Sequence, residues 1–125
     1  MLKLKNIIDT VRVKYREKMN IVFGRYRRKK LVDSNVTIIS NNCWGGHVYR
    51  YFGIKYLSPT IGLYFFSEDY IKLCKNIRYY MNQELKFVEI NQCKYANILR
   101  ERNASCPIGM LDDIYIIFHH YKNLF

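Results

Sequence analysis

Apolar positions follow two rhythms along this chain. In residues 1–30, Leu4, Ile8, Val11, Tyr15, Met19, Val22 and Tyr26 recur at intervals of four or three. That spacing places them on one stripe of a helix. Beyond it, short β-branched and aromatic runs alternate with turn residues, which predicts strands at 36–40 (VTIIS), 61–66 (IGLYFF), 86–90 (KFVEI) and 114–121 (IYIIFHHY). A short helix is expected over 46–52, stopped by Gly53. A longer one opens at Ser67, whose following Glu68 and Asp69 suit a first turn, and runs to about residue 85. Its apolar face would be Tyr70, Cys74, Ile77, Met81 and Leu85, which makes Cys74 a core residue. Within the ambiguous stretch 91–105, KYANILRER (94–102) could be strand or short helix, and CPIGMLDD (106–113) reads as loop. Strands alternating with helices imply an α/β domain, an open, partly parallel (mixed) sheet with flanking helices. The expected division is a basic amphipathic helical arm at 1–33 and a single α/β domain at 34–125.

Composition narrows the class. Half of the 125 residues are hydrophobic, with twelve tyrosines and seven phenylalanines, enough for a packed core and against disorder. No apolar run reaches the roughly 18–20 residues that span a bilayer, and charges interrupt any signal-peptide core, so the expected location is cytoplasmic. Cys43, Cys74, Cys93 and Cys106 are too dispersed for a disulfide scaffold or a metal knuckle, so no metal site and no cofactor is expected.

The net charge of +11 is concentrated at one end. Residues 1–30 carry eleven Lys/Arg against Asp9 and Glu17, whereas the remainder carries ten against eight acids. Three partners compete for this arm: the body of the protein, docked through the apolar stripe; an anionic membrane surface, met by an amphipathic basic helix; and nucleic acid. Nucleic acid ranks last, because basic residues are not interleaved with stacking aromatics in a known motif.

Candidate chemistry gathers in NNCWGG, residues 41–46, at the carboxyl end of the first expected strand. Ligands bind there in open α/β sheets, and glycines opening a helix leave backbone N–H groups accessible to an anion. A thiol at such a place is a candidate nucleophile, with His47 or the His119–His120 pair as partners. The same residues also make a tight strand-to-helix turn in which the asparagines cap and Trp44 packs. Ser58 and Thr60 place hydroxyls before the second expected strand. Asp112 and Asp113 precede the last, where adjacent side chains point to opposite faces.

Taken together, NNCWGG, YFGIKYLSPTIGLYF, DYIKLCKNIRYYMNQEL and PIGMLDDIYIIFHHY resemble a bacterial family, the domain of unknown function nineteen-nineteen. Its members are linked with exopolysaccharide or capsular polysaccharide biosynthesis. Asn41, Asn42, Cys43, Gly45, Gly46, Ser58, Pro59, Thr60, Pro107, Gly109, Asp113, His120 and Tyr121 match the family pattern. A histidine and an aspartate often stand there in place of Arg50 and Tyr51, so no acid/base role is carried onto this helix. Relatives also continue beyond the His-Tyr strand, which makes this chain look like a shortened member.

The resemblance implies a surface-polysaccharide biosynthesis protein, with a transferase of glycosyl or acyl groups as the leading expectation. The substrate would be a nucleotide-sugar or other activated sugar, or a lipid-linked glycan. Cys43, His120 and Asp113 are the candidate catalytic residues. Asn41, Asn42, Gly45, Gly46, Ser58 and Thr60 are the candidate substrate-binding ones. The rival is a non-catalytic binding or assembly subunit, or the degenerate half of a split enzyme. Residues 1–30 would hold either one at the inner face of the plasma membrane.

Overall fold

A computed structural model describes residues 2–121; Met1 of the expected arm and residues 122–125 of the expected domain lie outside the described residues. The elements are α1 (Leu2–Arg28), α2 (Trp44–Phe52), α3 (Ser67–Lys75), α4 (Ile77–Met81), β1 (Leu85–Val88), α5 (Ala96–Glu101), β2 (Ile108–Leu111) and β3 (Ile114–Ile117). They fall into two compact units, 1–39 with 44–59, and 40–43 with 60–125.

In the first unit, α1 packs on α2. The contact is made by Gly24, where an added Cβ would sit 3.3 Å from the Gly53 backbone. Arg27 reinforces it, with its guanidinium 3.9 Å from the centre of the Tyr51 ring and a hydrogen bond to the Tyr51 carbonyl. Arg28 donates to the Gly53 carbonyl. Gly53 closes α2 with φ +59°, a left-handed conformation that glycine adopts without steric cost. The predicted stop of α2 is therefore correct, and of the three partners open for the α1 stripe, docking on the body involves only its margin at Met19 and Tyr15. Met19 is half-buried, while the other six stripe residues are exposed. Docking runs through Asn20, Gly24 and Arg27, on the other side of the helix. A glycine and an arginine carry no weight in a hydropathy pattern, yet one permits close approach and the other stacks on an aromatic ring.

The expected strand at 36–40 forms no regular element and pairs with no strand among the described residues. The Tyr49 hydroxyl stands in for one: it accepts from the Ile38 N–H at 2.9 Å and donates to the Val36 carbonyl at 2.8 Å. Tyr49 is fully buried.

In the second unit the strands form an antiparallel sheet in the order β1-β2-β3. The expectation of a partly parallel sheet is thus corrected to a mixed α/β arrangement with an antiparallel sheet. Neither of the first two expected strands joins it as a strand. From 61–66 only Tyr64 pairs, in a single antiparallel bridge to Ile117. The segment read as loop supplies β2 instead, joined to β3 by a two-residue turn in which Asp112 has φ +53°. Aspartate tolerates that conformation better than most residues. In the middle of β2, Gly109 leaves space for the Leu85 side chain and the Phe118 ring, which an added Cβ would meet at 2.7 and 2.9 Å.

The long helix expected from Ser67 breaks at Asn76 into α3 and α4, and residues 96–101 resolve as helix. The face of α3 and α4 that is buried carries Asp69, Leu73 and Tyr80; Cys74 is exposed and not in the core. The seam begins with a carboxylate, which is why the apolar pattern chose the wrong face. Asp69 accepts from the Lys94 ammonium at 2.6 Å and from the Tyr115 N–H at 2.8 Å, tying α3 to β3. Burial acts to lower the Lys94 ammonium, but the Asp69 carboxylate outweighs it and the group is held well above its ordinary value. Beneath the sheet, Cys93, Leu99, Ile108 and Ile117 make a buried cluster.

Candidate functional site

The Ser40–Cys43 loop is fixed within the second unit by backbone bonds that sequence patterns do not report. Thr60, almost fully buried, accepts from the Ser40 N–H through its hydroxyl at 3.2 Å. The Ser40 hydroxyl donates to the Asn42 carbonyl at 2.8 Å, and the Phe65 N–H donates to the Asn41 carbonyl at 3.0 Å. Next to Phe65, Tyr64 exchanges both backbone bonds with Ile117 at 2.8 and 2.9 Å. The loop is thereby carried to the end of β3.

The chain turns just after β3. The Phe118 N–H donates to the Pro107 carbonyl and the Tyr121 N–H to the Phe118 carbonyl. Phe118 is held between the Phe87 and Tyr121 rings, at 5.2 and 5.7 Å between centres. Gly62, with φ +73°, passes beside the His120 and Tyr121 rings. This turn brings His120 to Cys43: Nε2 lies 2.7 Å from Sγ, across a separation of 77 residues. Both side chains reach solvent, Cys43 partly and His120 openly. A thiol and an imidazole at this distance are the parts from which a nucleophile and its general base can be built.

His119 stands beside the pair, its ring centre 5.7 Å from that of His120. It lines a cleft of about 460 Å³ whose floor includes Tyr64, Leu99 and Ile117 and whose rim carries Arg102 and Ser105. Cys106 also lines it, with a thiol pushed up by burial and so kept in the protonated form. Neither Arg102 nor the cleft was signalled by sequence. The nearest signal was the doubled histidine, which the structure places in the turn after β3.

Asp113 does not join this group. It lies in the turn before β3, at the other end of that strand from His120, where it accepts from the Lys72 ammonium at 2.6 Å and the Tyr80 hydroxyl at 2.8 Å. Those bonds, Lys72 first, hold its carboxyl below the ordinary range, and the same contact raises the Tyr80 phenol to about 12. Asp112 accepts from the Tyr79 hydroxyl. These bonds pin the hairpin turn to α3 and α4.

The remaining candidates are distributed. Gly45 and Gly46 are buried in the first turn of α2, His47 is in contact with Arg50 at 3.2 Å, and Ser58 is half-buried in the first unit. Trp44 is 61% exposed, not packed in a core. Among the described residues no group of three or more His, Cys, Asp or Glu is placed to hold a metal ion. No helix there is long and apolar enough to cross a membrane.

The family model described as Domain of unknown function (DUF1919) matches residues 13–124. A Haemophilus influenzae protein described as an uncharacterized protein is 27% identical over 118 residues, covering 94% of this chain and 52% of its own length. The chain therefore spans about half the length of that curated relative. The match over residues 13–124 shows that the chain belongs to the DUF1919 family.

Proposed function

We propose that this DUF1919 member is a transferase of surface-polysaccharide biosynthesis, moving an acyl group onto an activated sugar or lipid-linked glycan through a covalent Cys43 intermediate. The observation that carries the reading is the 2.7 Å contact between Cys43 Sγ and His120 Nε2. His120 takes the thiol proton as sulfur attacks the acyl carbonyl, and returns it to the leaving group as the carbonyl re-forms. A sugar hydroxyl then attacks the thioester. His120 accepts that proton and gives it to the departing sulfur, so Cys43 ends as a thiol and an ester has formed. Acyl transfer is favoured over glycosyl transfer because a thiol with an adjacent imidazole is suited to forming and resolving a thioester. Asp113, the carboxylate expected to serve, is engaged at the other end of β3.

The cleft beside His119, with an apolar floor and the Arg102 cation on its rim, suits a substrate bearing both an apolar and an anionic part. The polysaccharide context rests on the family resemblance. In the same reading the protein works in the cytoplasm, at the inner face of the plasma membrane. The length of the Haemophilus relative favours a second reading, in which this chain is a binding or assembly portion of a site that other residues complete. The experiment is complementation in a strain lacking the gene. Cys43→Ala and Cys43→Ser are each expected to abolish polysaccharide production, and full production with Cys43→Ser would remove the nucleophile and leave Cys43 a binding or packing role.

A further inference from the structure

The two sides of α1 are unlike in a way its docking makes informative. The helix meets α2 through Asn20, Gly24 and Arg27. At about 3.6 residues per turn these lie on the side away from Leu4, Val11 and Val22. Those three are all more than 60% exposed. Large apolar side chains are thus displayed along a helix of 27 residues, about 40 Å long, by the way the helix is anchored. Charge follows the same division. Asp9 and Glu17, the acids of residues 1–30, fall on the side remote from the stripe. Lys14, Lys18 and Arg25 border the stripe on one flank, and Arg12 and Arg16 on the other. An apolar stripe edged by long basic side chains, with the acids turned away, matches an anionic lipid surface. Apolar groups enter the headgroup boundary while the ammonium and guanidinium groups reach phosphates from either side.

We infer that the outward stripe of α1 is a membrane-docking face that lies in the plane of an anionic bilayer. The inference rests on the proposed inner-membrane location and deepens it by naming the surface; it does not depend on the chemistry of Cys43. Charge complementarity selects lipid over a second copy of the chain, because two copies would bring together N-terminal segments, residues 1–30, of net charge +9 each.

The test is co-sedimentation of the full chain with vesicles of phosphatidylcholine alone or mixed with phosphatidylglycerol. Binding is expected to the mixed vesicles, to weaken with salt, and to fall about tenfold in Val11→Asp. Val13→Asp makes the same chemical change at an exposed position on the remote side, and should shift binding less than about twofold. Circular dichroism establishes that both variants keep their helix. Cys43→Ser should bind vesicles as the parent does, so loss of the transferase reading leaves this result intact. Equal losses in the two aspartate variants would reduce the effect to bulk charge and overturn the inference. So would absence of vesicle binding, or sedimentation in which Val11→Asp converts an oligomer to a monomer and so shows the stripe covered by another copy.

Discussion

Tyr49→Phe removes one oxygen atom and tests how residues 36–39 are held without a sheet. The hydroxyl accepts from the Ile38 N–H at 2.9 Å and donates to the Val36 carbonyl at 2.8 Å, from a side chain with no solvent exposure. Each net hydrogen bond is worth about 0.5–1.5 kcal/mol, so losing both should cost ~1–3 kcal/mol. The upper half of that range would need both backbone groups to stay dry, but Val36 and Ile38 are only half-buried and water reaches them in part. A loss near 1.5 kcal/mol is therefore expected, lowering Tm by roughly 4–9 °C for a chain of this size. Ring packing is unchanged, so Tyr49→Ala, which also empties the ring site, should cost distinctly more, about 3–5 kcal/mol. Hydrogen exchange gives the local readout: the Ile38 amide is protected in the parent and exposed in Tyr49→Phe. A Tyr49→Phe variant within about 0.3 kcal/mol of the parent, with Ile38 still protected, refutes the claim that this hydroxyl replaces a neighbouring strand.

Other consequences follow from the same contacts. Gly24→Val should separate α1 from α2, because its Cβ meets the Gly53 backbone, which cannot swing aside; a loss of ~1–3 kcal/mol in urea unfolding is expected. Asp69→Ala leaves the Tyr115 N–H without its acceptor and the Lys94 ammonium with only the more distant Glu68 carboxylate at 3.6 Å, and should cost about 2–4 kcal/mol, with Lys94→Met in the same background adding little further loss. Asp113 has a depressed folded pKa, so its contribution is present above its unfolded value and disappears as pH falls through the folded one; Asp113→Asn should flatten the acid limb of the stability curve. Tyr80, raised to about 12, has the opposite sign: its contribution is complete below the ordinary phenol range and is lost as pH rises toward 12. Spectrophotometric titration should show a late-ionising phenol that Tyr80→Phe removes.

What could be read from the sequence was what is local. The 27-residue helix, the stop at Gly53 and the last strand each carry their signal within a few residues. The sheet was misread because β2 is four residues long, follows a proline and contains Gly109, all of which read as loop. Its strand character comes from β1 and β3 on either side. The strand expected at 36–39 failed for the converse reason: its β-branched residues fit a strand, but a tyrosine hydroxyl took the place of the partner. At the candidate site, Cys43 and His120 could each be named, the thiol for its loop and the imidazole for its family match. Their contact could not, because it depends on the Tyr64–Ile117 bridge and the Phe65–Asn41 bond, which join distant residues through the backbone alone. Asp113 was chosen for its position before a strand, and its bonds to Lys72 and Tyr80 show what that position does in the fold.

Activation of Cys43 by His120 is read from the rate of Cys43 alkylation with iodoacetamide at neutral pH, followed by peptide mapping. Cys74 is exposed and serves as a reference thiol in the same molecule. Cys43, although less exposed, should react faster than Cys74, and His120→Ala should slow it by about tenfold or more while Cys74 is unaffected. Cys43 reacting no faster than Cys74, at a rate indifferent to His120→Ala, would contradict the account.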